Sequence, residues 1–340
     1  VKRLIVTDTH LGLYQDSDKW LDIVLQFFKD LTLYCYQEQI SEVIHLGDFF
    51  DNRKSLNTKT QHTAHRIAKV LALRNLHIKI IVGNHDCYFK NQLHPTSLEL
   101  FNKYSHIDII DEPTVVDDIL LIPWGSPIEY PECTGNVKYC FGHFAINGFH
   151  MNDSYVCKTG MESAAFKDFD TVLSGHFHTP SKQGNITYLG APYGQTFHDN
   201  EGIRGFYIFE DGKLDFIEYS NAPTFRKIRS EAIATHTSLN EDFGNDNIKG
   251  NVIRLVFDKD YGTIKNQQIQ DEVLRYEPFA YSIDFTKIES EDMEEVDQAV
   301  VENREQMLTE YITSQAYPEN IKVPLLIGMF KKTMGEADEN

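Results

Sequence analysis

Hydrophobic and polar positions follow two periods along residues 1–125. Leu4–Val6 is an apolar run that breaks into the polar "TDTH", the pattern of a buried strand ending in a turn. After Ser17, placed to cap a helix, Trp20, Val24, Phe27 and Leu31 recur at helical spacing over about Asp18–Gln37. Glu42–Leu46 predicts a second strand, ending in "GDFFD". Thr58–Leu73 predicts a second helix, with Ala64, Ile67, Ala68 and Leu71 facing inward and Lys59, His62, Arg66 and Lys69 outward. Lys79–Val82 predicts a third strand, which stops abruptly in Gly83, Asn84, His85 and Asp86. Glycine at that point is expected to let the chain turn sharply.

Further along, short strands dominate: Ile119–Ile122, Tyr139–Phe141, Thr171–Leu173, Thr187–Leu189, Phe206–Phe209 and Leu214–Tyr219. One short helix near Met161–Phe166 interrupts them. The expected fold is layered α/β, a two-sheet β-sandwich flanked by helices. "NAPTFRKIRS", from Asn221, reads as a linker. Beyond it, strands Val252–Phe257 and Ala280–Phe285 and a helical segment between them predict a small α+β domain. Residues 291–316 read as an acidic amphipathic helix, followed by the apolar "VPLLIGMF". The expected domains are 1–222, 223–288 and 289–340.

Composition narrows the class. The 340 residues are 41% hydrophobic and 24% charged, ordinary values for a globular protein. No apolar run approaches the ~18–20 residues of a membrane span. The chain enters a strand at once in "RLIVTD", so no signal peptide is expected, and a cytoplasmic location is. Five cysteines, an odd number without a C-x-x-C pair, suit free thiols in a reducing compartment. Cys87 is expected to be a small buried side chain rather than a nucleophile.

A formal net charge of −19 argues against a simple nucleic-acid binder, but the distribution is uneven. Thr286–Asn340 holds 13 acidic and 5 basic residues. Asn52–His85 holds no acidic residue, while carrying Arg53, Lys54, Lys59, Arg66, Lys69, Arg74 and Lys79.

The chemistry lies at the strand ends. Five of them finish in Asp, His or Asn: Asp8 and His10, then Asp48 and Asp51, then Asn84, His85 and Asp86, then His143, then His176 and His178. One polar strand end is an ordinary cap, whereas five are hard to explain that way, since Asp and Asn are depleted in strands. Carboxylate, imidazole and amide without thiolate disfavour structural zinc and suit manganese, iron or catalytic zinc. So many ligands exceed one tetrahedral ion and fit two ions about 3.5–4 Å apart sharing a carboxylate, a clamp for phosphoryl transfer.

The ordered set D-x-H, GD-x-x-D, GNHD, GH and GH-x-H resembles the calcineurin-like metallophosphoesterase superfamily. "GDFFDNRKSLNTKT", "VGNHDCYFKNQLHP" and "SGHFHT" are similar, within it, to the SbcD-type recombination and repair nucleases, including the small nuclease subunit of T-even-type phage complexes. The likeness is strong to about residue 220 and weaker after it. It implies two divalent ions, most simply Mn2+. Asp8, His10, Asp48 and His178 would hold one, and Asp48, Asn84, His143 and His176 the other. His85 would contact the phosphate and assist the leaving oxygen, with Asp51 and Asp86 orienting ligands or His85. It further implies manganese-dependent exonuclease action on duplex ends and endonuclease action on single strands. The implied assembly is a homodimer within a heterotetramer with an SMC-like, ABC-type ATPase, docked through the C-terminal helical segment, the small α+β domain capping the DNA. For a phage-encoded chain the compartment would be the host cytoplasm, with no membrane contact.

Motif spacing fixes phosphoester chemistry, not the substrate. Arg53, Lys54, Lys59, Arg66 and Lys69 are the candidate DNA contacts, because neutralising phosphates is the main source of non-specific DNA affinity. The same cations also fit an ordinary solvated helix face. A metallophosphoesterase acting on small phosphoesters or phosphoproteins is the alternative. A non-catalytic scaffold is disfavoured, since no expected ligand is missing.

Overall fold

The computed structural model describes residues 1–285 except 91, 129–136, 153–154, 200–202 and 235–240. The acidic helix expected over 291–316 and the segment "VPLLIGMF" lie outside the described residues.

The two expected periods become a layered α/β fold. The elements, in chain order, are β1 (Arg3–Val6), α1 (Asp18–Gln37), β2 (Glu42–His45), α2 (Thr58–Ala72), β3 (His77–Ile81), β4 (Ile107–Ile110), β5 (Thr114–Val116), β6 (Ile119–Ile122), β7 (Tyr139–His143), β8 (Thr171–Gly175), β9 (Ser181–Gln183), β10 (Ile186–Tyr188), β11 (Gly205–Glu210) and β12 (Lys213–Glu218). They build two six-stranded sheets, ordered β12-β11-β1-β2-β3-β4 and β9-β10-β8-β7-β6-β5. Strands β1 to β4 run parallel, as do β6, β7, β8 and β10, with antiparallel partners at the edges.

Strand alternation explains the layers. Ile5, Ile44 and Ile81 face the second sheet, where they meet Ile119, Leu121, Phe141 and Leu173. Leu4, Val6, Val43, Ile78 and Ile80 face the opposite way, against Val24, Phe27, Phe28 and Leu31 of α1 and Ala64, Ile67 and Leu71 of α2. A strand covered on both faces needs apolar residues at every position, so these strands read as continuous runs. Each large aliphatic or aromatic side chain buried this way contributes roughly 1.5–3 kcal/mol.

Three expectations change. Ser17 stands at the N-cap of α1 but its side chain makes no cap hydrogen bond, whereas Asn57 caps α2 by accepting from Lys59 N at 2.9 Å. The expected helix near Met161–Phe166 is a short 3-10 turn over Ser163–Phe166. The expected linker is largely a strand: β13 (Phe225–Arg229) pairs in parallel with β14 (Val252–Phe257), which pairs with β15 (Ala280–Phe285). Its cations hid it, because only Phe225 and Ile228 of this strand reach the core. A helix α3 (Thr263–Leu274), lying between β14 and β15 in sequence, packs Ile269 and Val273 onto this third sheet. Phe225 and Phe279 also pack around Trp20 of α1, joining the small sheet to the two-sheet core within Val1–Phe285.

Candidate metal centre

Parallel pairing carries the C-terminal ends of β1, β2 and β3 to one edge of the first sheet, and those of β7 and β8 to one edge of the second. The loops after β1 and β2 then run side by side: Asp8 N donates to Gly47 O at 3.0 Å, His10 N to Asp48 O at 3.1 Å and Leu11 N to Phe49 O at 2.7 Å. Asp8 (φ +52°), His10 (+44°), Asp48 (+55°) and His176 (+88°) all have left-handed backbone. Such conformations cost on the order of 1–3 kcal/mol each and persist where surrounding structure over-determines them.

Gly83 is needed for space rather than for a turn. A Cβ there would lie 2.2 Å from Asp48 N, and the residue has no positive φ. Gly47 needs both, with φ +99° and a Cβ position 2.5 Å from His143 Nδ1.

Three groups of ligand atoms result, of which two lie at the ends of the central strands and the third, His10, Asp51 and His85, shares His10 with one of them. Asp8, His10 and His178 form one, with His10 Nε2 3.1 Å from His178 Nε2 and 3.9 Å from Asp8 Oδ1. Asp48, His143 and His176 form the other, with His143 Nε2 3.3 Å from Asp48 Oδ2 and 2.9 Å from Asn84 Oδ1. Asp48 Oδ2 is also 3.7 Å from His10 Nε2, so this carboxylate stands between the clusters. Two imidazole nitrogens about 3 Å apart, ringed by carboxylates, match the spacing of donors around one ion at bonds of about 2.0–2.2 Å. The donor set fits divalent ions.

Second contacts set the ring orientations. His143 Nδ1 donates to Leu46 O at 2.7 Å, which leaves Nε2 as the donor atom in the site. Asp51 Oδ1 lies 3.4 Å from His10 Nδ1, which is buried and makes no hydrogen bond, and Asp199 Oδ2 lies 3.7 Å from His178 Nδ1. Asp8 Oδ2 accepts from Thr7 Oγ1 at 2.7 Å and from His176 N at 3.1 Å.

Electrostatics follow from burial and these neighbours. Burial alone would raise Asp48, but His143, His10 and His85 outweigh it and hold its carboxyl well below the usual range. Burial would lower His143, but Asp48 and Asp8 push it up to about 9. Burial, with His143 adding to it, takes His176 down to about 3 and keeps that imidazole neutral.

His85 is in neither of these two triads, but with His10 and Asp51 it forms the third group, whose ligand atoms lie within 4.8 Å of one another, and its ring meets His10 edge-on at 4.8 Å. His85 N donates to Asp48 Oδ1 at 2.7 Å and its Nδ1 donates to Asp51 O at 2.7 Å, leaving Nε2 free of either contact. Asp86, expected to orient ligands or His85, makes its contacts with backbone amides of the two ligand-bearing loops. Its carboxylate accepts from Gly83 N (3.0 Å), Phe49 N (3.3 Å) and Phe50 N (3.0 Å), stapling the "GNHD" loop to the "GDFFD" loop. Burial, with Asp48 adding to it, raises Asp86 to about 6. Cys87 is buried, its Sγ 3.2 Å from Gly83 O and its thiol pushed up to about 12 chiefly by burial.

Residues 1–180 match the family model for calcineurin-like phosphoesterases. The chain belongs to the calcineurin-like phosphoesterase family. This phosphoesterase is 32% identical over 328 residues to exonuclease subunit 1 of Enterobacteria phage T4, a match spanning 92% of this chain and 93% of that one. Solved structures also match: a nuclease from Pseudomonas putida (TM-score 0.30, 20% identity, 54% of this chain and 66% of that one) and a dimetal phosphatase from Danio rerio (TM-score 0.36, 10% identity, 61% and 91%). As a member of this family, the chain is a hydrolase of phosphoesters that uses divalent metal ions.

The candidate DNA cations differ in their partners. Lys59 pairs with Asp18 of α1 at 2.8 Å, so a window free of acids in sequence is not free of them in the fold. Arg53, Lys54, Arg66 and Lys69 make no ion pair among the described residues, and Lys54, Arg66 and Lys69 are exposed. Sequence reading missed Asp199, which backs His178, and Trp124, whose ring lies against His176 at 4.8 Å. Neither sits in a local motif, so only the fold reveals them.

Proposed function

We propose that this phosphoesterase is a manganese-dependent DNA nuclease, the catalytic subunit of a recombination and repair complex. The observation that carries this reading is Asp48 standing between two ligand clusters, with His85 beside them and its Nε2 uncommitted. Asp8, His10, Asp48 and His178 would hold one ion, and Asp48, Asn84, His143 and His176 the other. Such a pair supplies Lewis acidity that polarises a phosphoryl group and lowers the pKa of an attacking water. His85, anchored at Nδ1 by a carbonyl, presents its other nitrogen to the scissile phosphate and supports the departing oxygen. Asp51 and Asp199 stand beside His10 and His178, and the Asp86 staple fixes the two loops.

DNA as substrate is supported by the likeness to an exonuclease subunit and by the exposed cations Lys54, Arg66 and Lys69. In this reading residues 1–222 are the nuclease domain, 223–288 a capping domain and 289–340 a segment that docks on an SMC-like ATPase, the chain acting as a homodimer in a heterotetramer in the cytoplasm, the host's for a phage-encoded chain. Double-strand exonuclease and single-strand endonuclease action are the expected activities. The test is incubation with Mn2+ and either end-labelled DNA or a chromogenic phosphomonoester. Cleavage of duplex ends and single strands is expected. Phosphomonoester hydrolysis with DNA left intact, even beside the ATPase, would overturn the reading.

A further inference from the structure

The "GNHD" loop does not stop at His85. Buried Cys87 forms an antiparallel bridge with Thr96, and Tyr88 N donates to Pro95 O at 3.1 Å, so Tyr88 and Phe89 are held directly after the loop that carries His85. Tyr88 and Phe89 are 46% and 47% exposed, unusual for two neighbouring rings, and they pack edge to face on each other at 4.8 Å. Lys90, next in line, is exposed and its carbonyl accepts from Trp124 Nε1 at 3.4 Å. Trp124 in turn lies against His176, one of the candidate ligands, at 4.8 Å. The segment after His85 is thus tied, through the Lys90 carbonyl and Trp124, to the candidate ligand His176. Arg53 and Lys54 lie two and three residues after Asp51, whose carbonyl holds His85, and Lys54 is exposed.

We propose that Tyr88 and Phe89 form a stacking platform for an unpaired nucleobase adjoining the scissile phosphate, which sets a preference for single-stranded or frayed DNA. This rests on the nuclease reading above. Exposed rings beside cations are the combination that holds single strands, because every base offers a π-face while phosphates need positive charge. A paired base has its faces covered by its neighbours and cannot use the platform.

The test is a cycle between protein and substrate. Single-stranded oligonucleotides carrying one abasic site, moved one position at a time across the cleavage point, are cut by the wild type and by Tyr88→Leu/Phe89→Leu with Mn2+. At one position the wild type should lose about tenfold or more in kcat/KM, chiefly through KM. The leucine variant should lose a similar factor on the intact strand and show no further abasic penalty. Tyr88→Trp/Phe89→Trp should restore it. If the wild type cuts DNA but shows no abasic penalty at any position, or if the leucine variant keeps the penalty, the platform is overturned and the nuclease reading stands. A wild type that leaves all DNA intact while hydrolysing a chromogenic phosphoester overturns both.

Discussion

The two ligand clusters share Asp48 but are built on different supports. In the inner one, Asp48, Asn84 and His143 are all buried, and a backbone carbonyl, Leu46 O, fixes the His143 tautomer. The strand register that places that carbonyl also stabilises the sheet, so the inner geometry cannot change without disturbing the fold. In the outer one, His10 and His178 have side-chain carboxylates, Asp51 and Asp199, 3.4 and 3.7 Å from their Nδ1 atoms, and the His178 side chain is 26% exposed. In the proposed reading one ion position rests on a backbone carbonyl, and the other has side-chain carboxylates beside its histidines. The inner position should tolerate few substitutions and bind tightly. The outer one should be adjustable and exchange more readily.

The largest effect should come from the residue serving neither position as a ligand. His85→Ala should lower turnover by about 10²–10⁴-fold with both ions retained, as read by single-turnover kinetics alongside metal analysis. Loss of an ion in that variant would move His85 into a ligand sphere and break the division of roles. Gly83→Ala attacks the inner support. The new Cβ would meet Asp48 N at 2.2 Å, and forcing such a contact costs typically about 1–3 kcal/mol of stability. Thermal melting should fall, together with inner-ion affinity.

Asp199→Ala is the matching blow to the outer support. It should weaken one of two manganese binding steps by about 10–100-fold and leave the other unchanged, as followed by calorimetric titration. Equal weakening of both steps would show that the clusters are not separately supported. The smallest effect belongs to the sheet beneath them. Glu42 joins Arg3 of β1 to Lys79 of β3. Burial would raise its carboxyl, but Lys79 and Arg3 outweigh that and hold it below the ordinary 4.5. A lowered acid contributes stability that is present above its ordinary value and lost as pH falls through the folded value. Glu42→Gln should therefore flatten the acid limb of the stability–pH curve below about 4.5, by about 1 kcal/mol or less.

What the sequence made legible matches this contrast. Asp8, His10, Asp48, Asn84, His143, His176 and His178 were visible because each sits where an apolar run ends, a local pattern. The two-sheet layering was visible for the same reason, as strands covered on both faces are apolar throughout. Contacts between distant segments were not. Asp199 reaches His178 from a loop before β11, Asp18 neutralises Lys59 across two helices, and Asp86 turns to backbone amides rather than to its neighbour His85. The strand Phe225–Arg229 was masked because Arg226, Lys227 and Arg229 dilute a pattern that only two core residues carry.

The central claim is that Asp48 bridges two ions while His85 binds neither. Anomalous diffraction from a manganese-soaked crystal tests it most directly. The expected map has two peaks about 3.5–4 Å apart on either side of Asp48, one among Asp8, His10 and His178 and one among Asn84, His143 and His176, with His85 in contact with neither. A single peak, or a peak coordinated by His85, would contradict it.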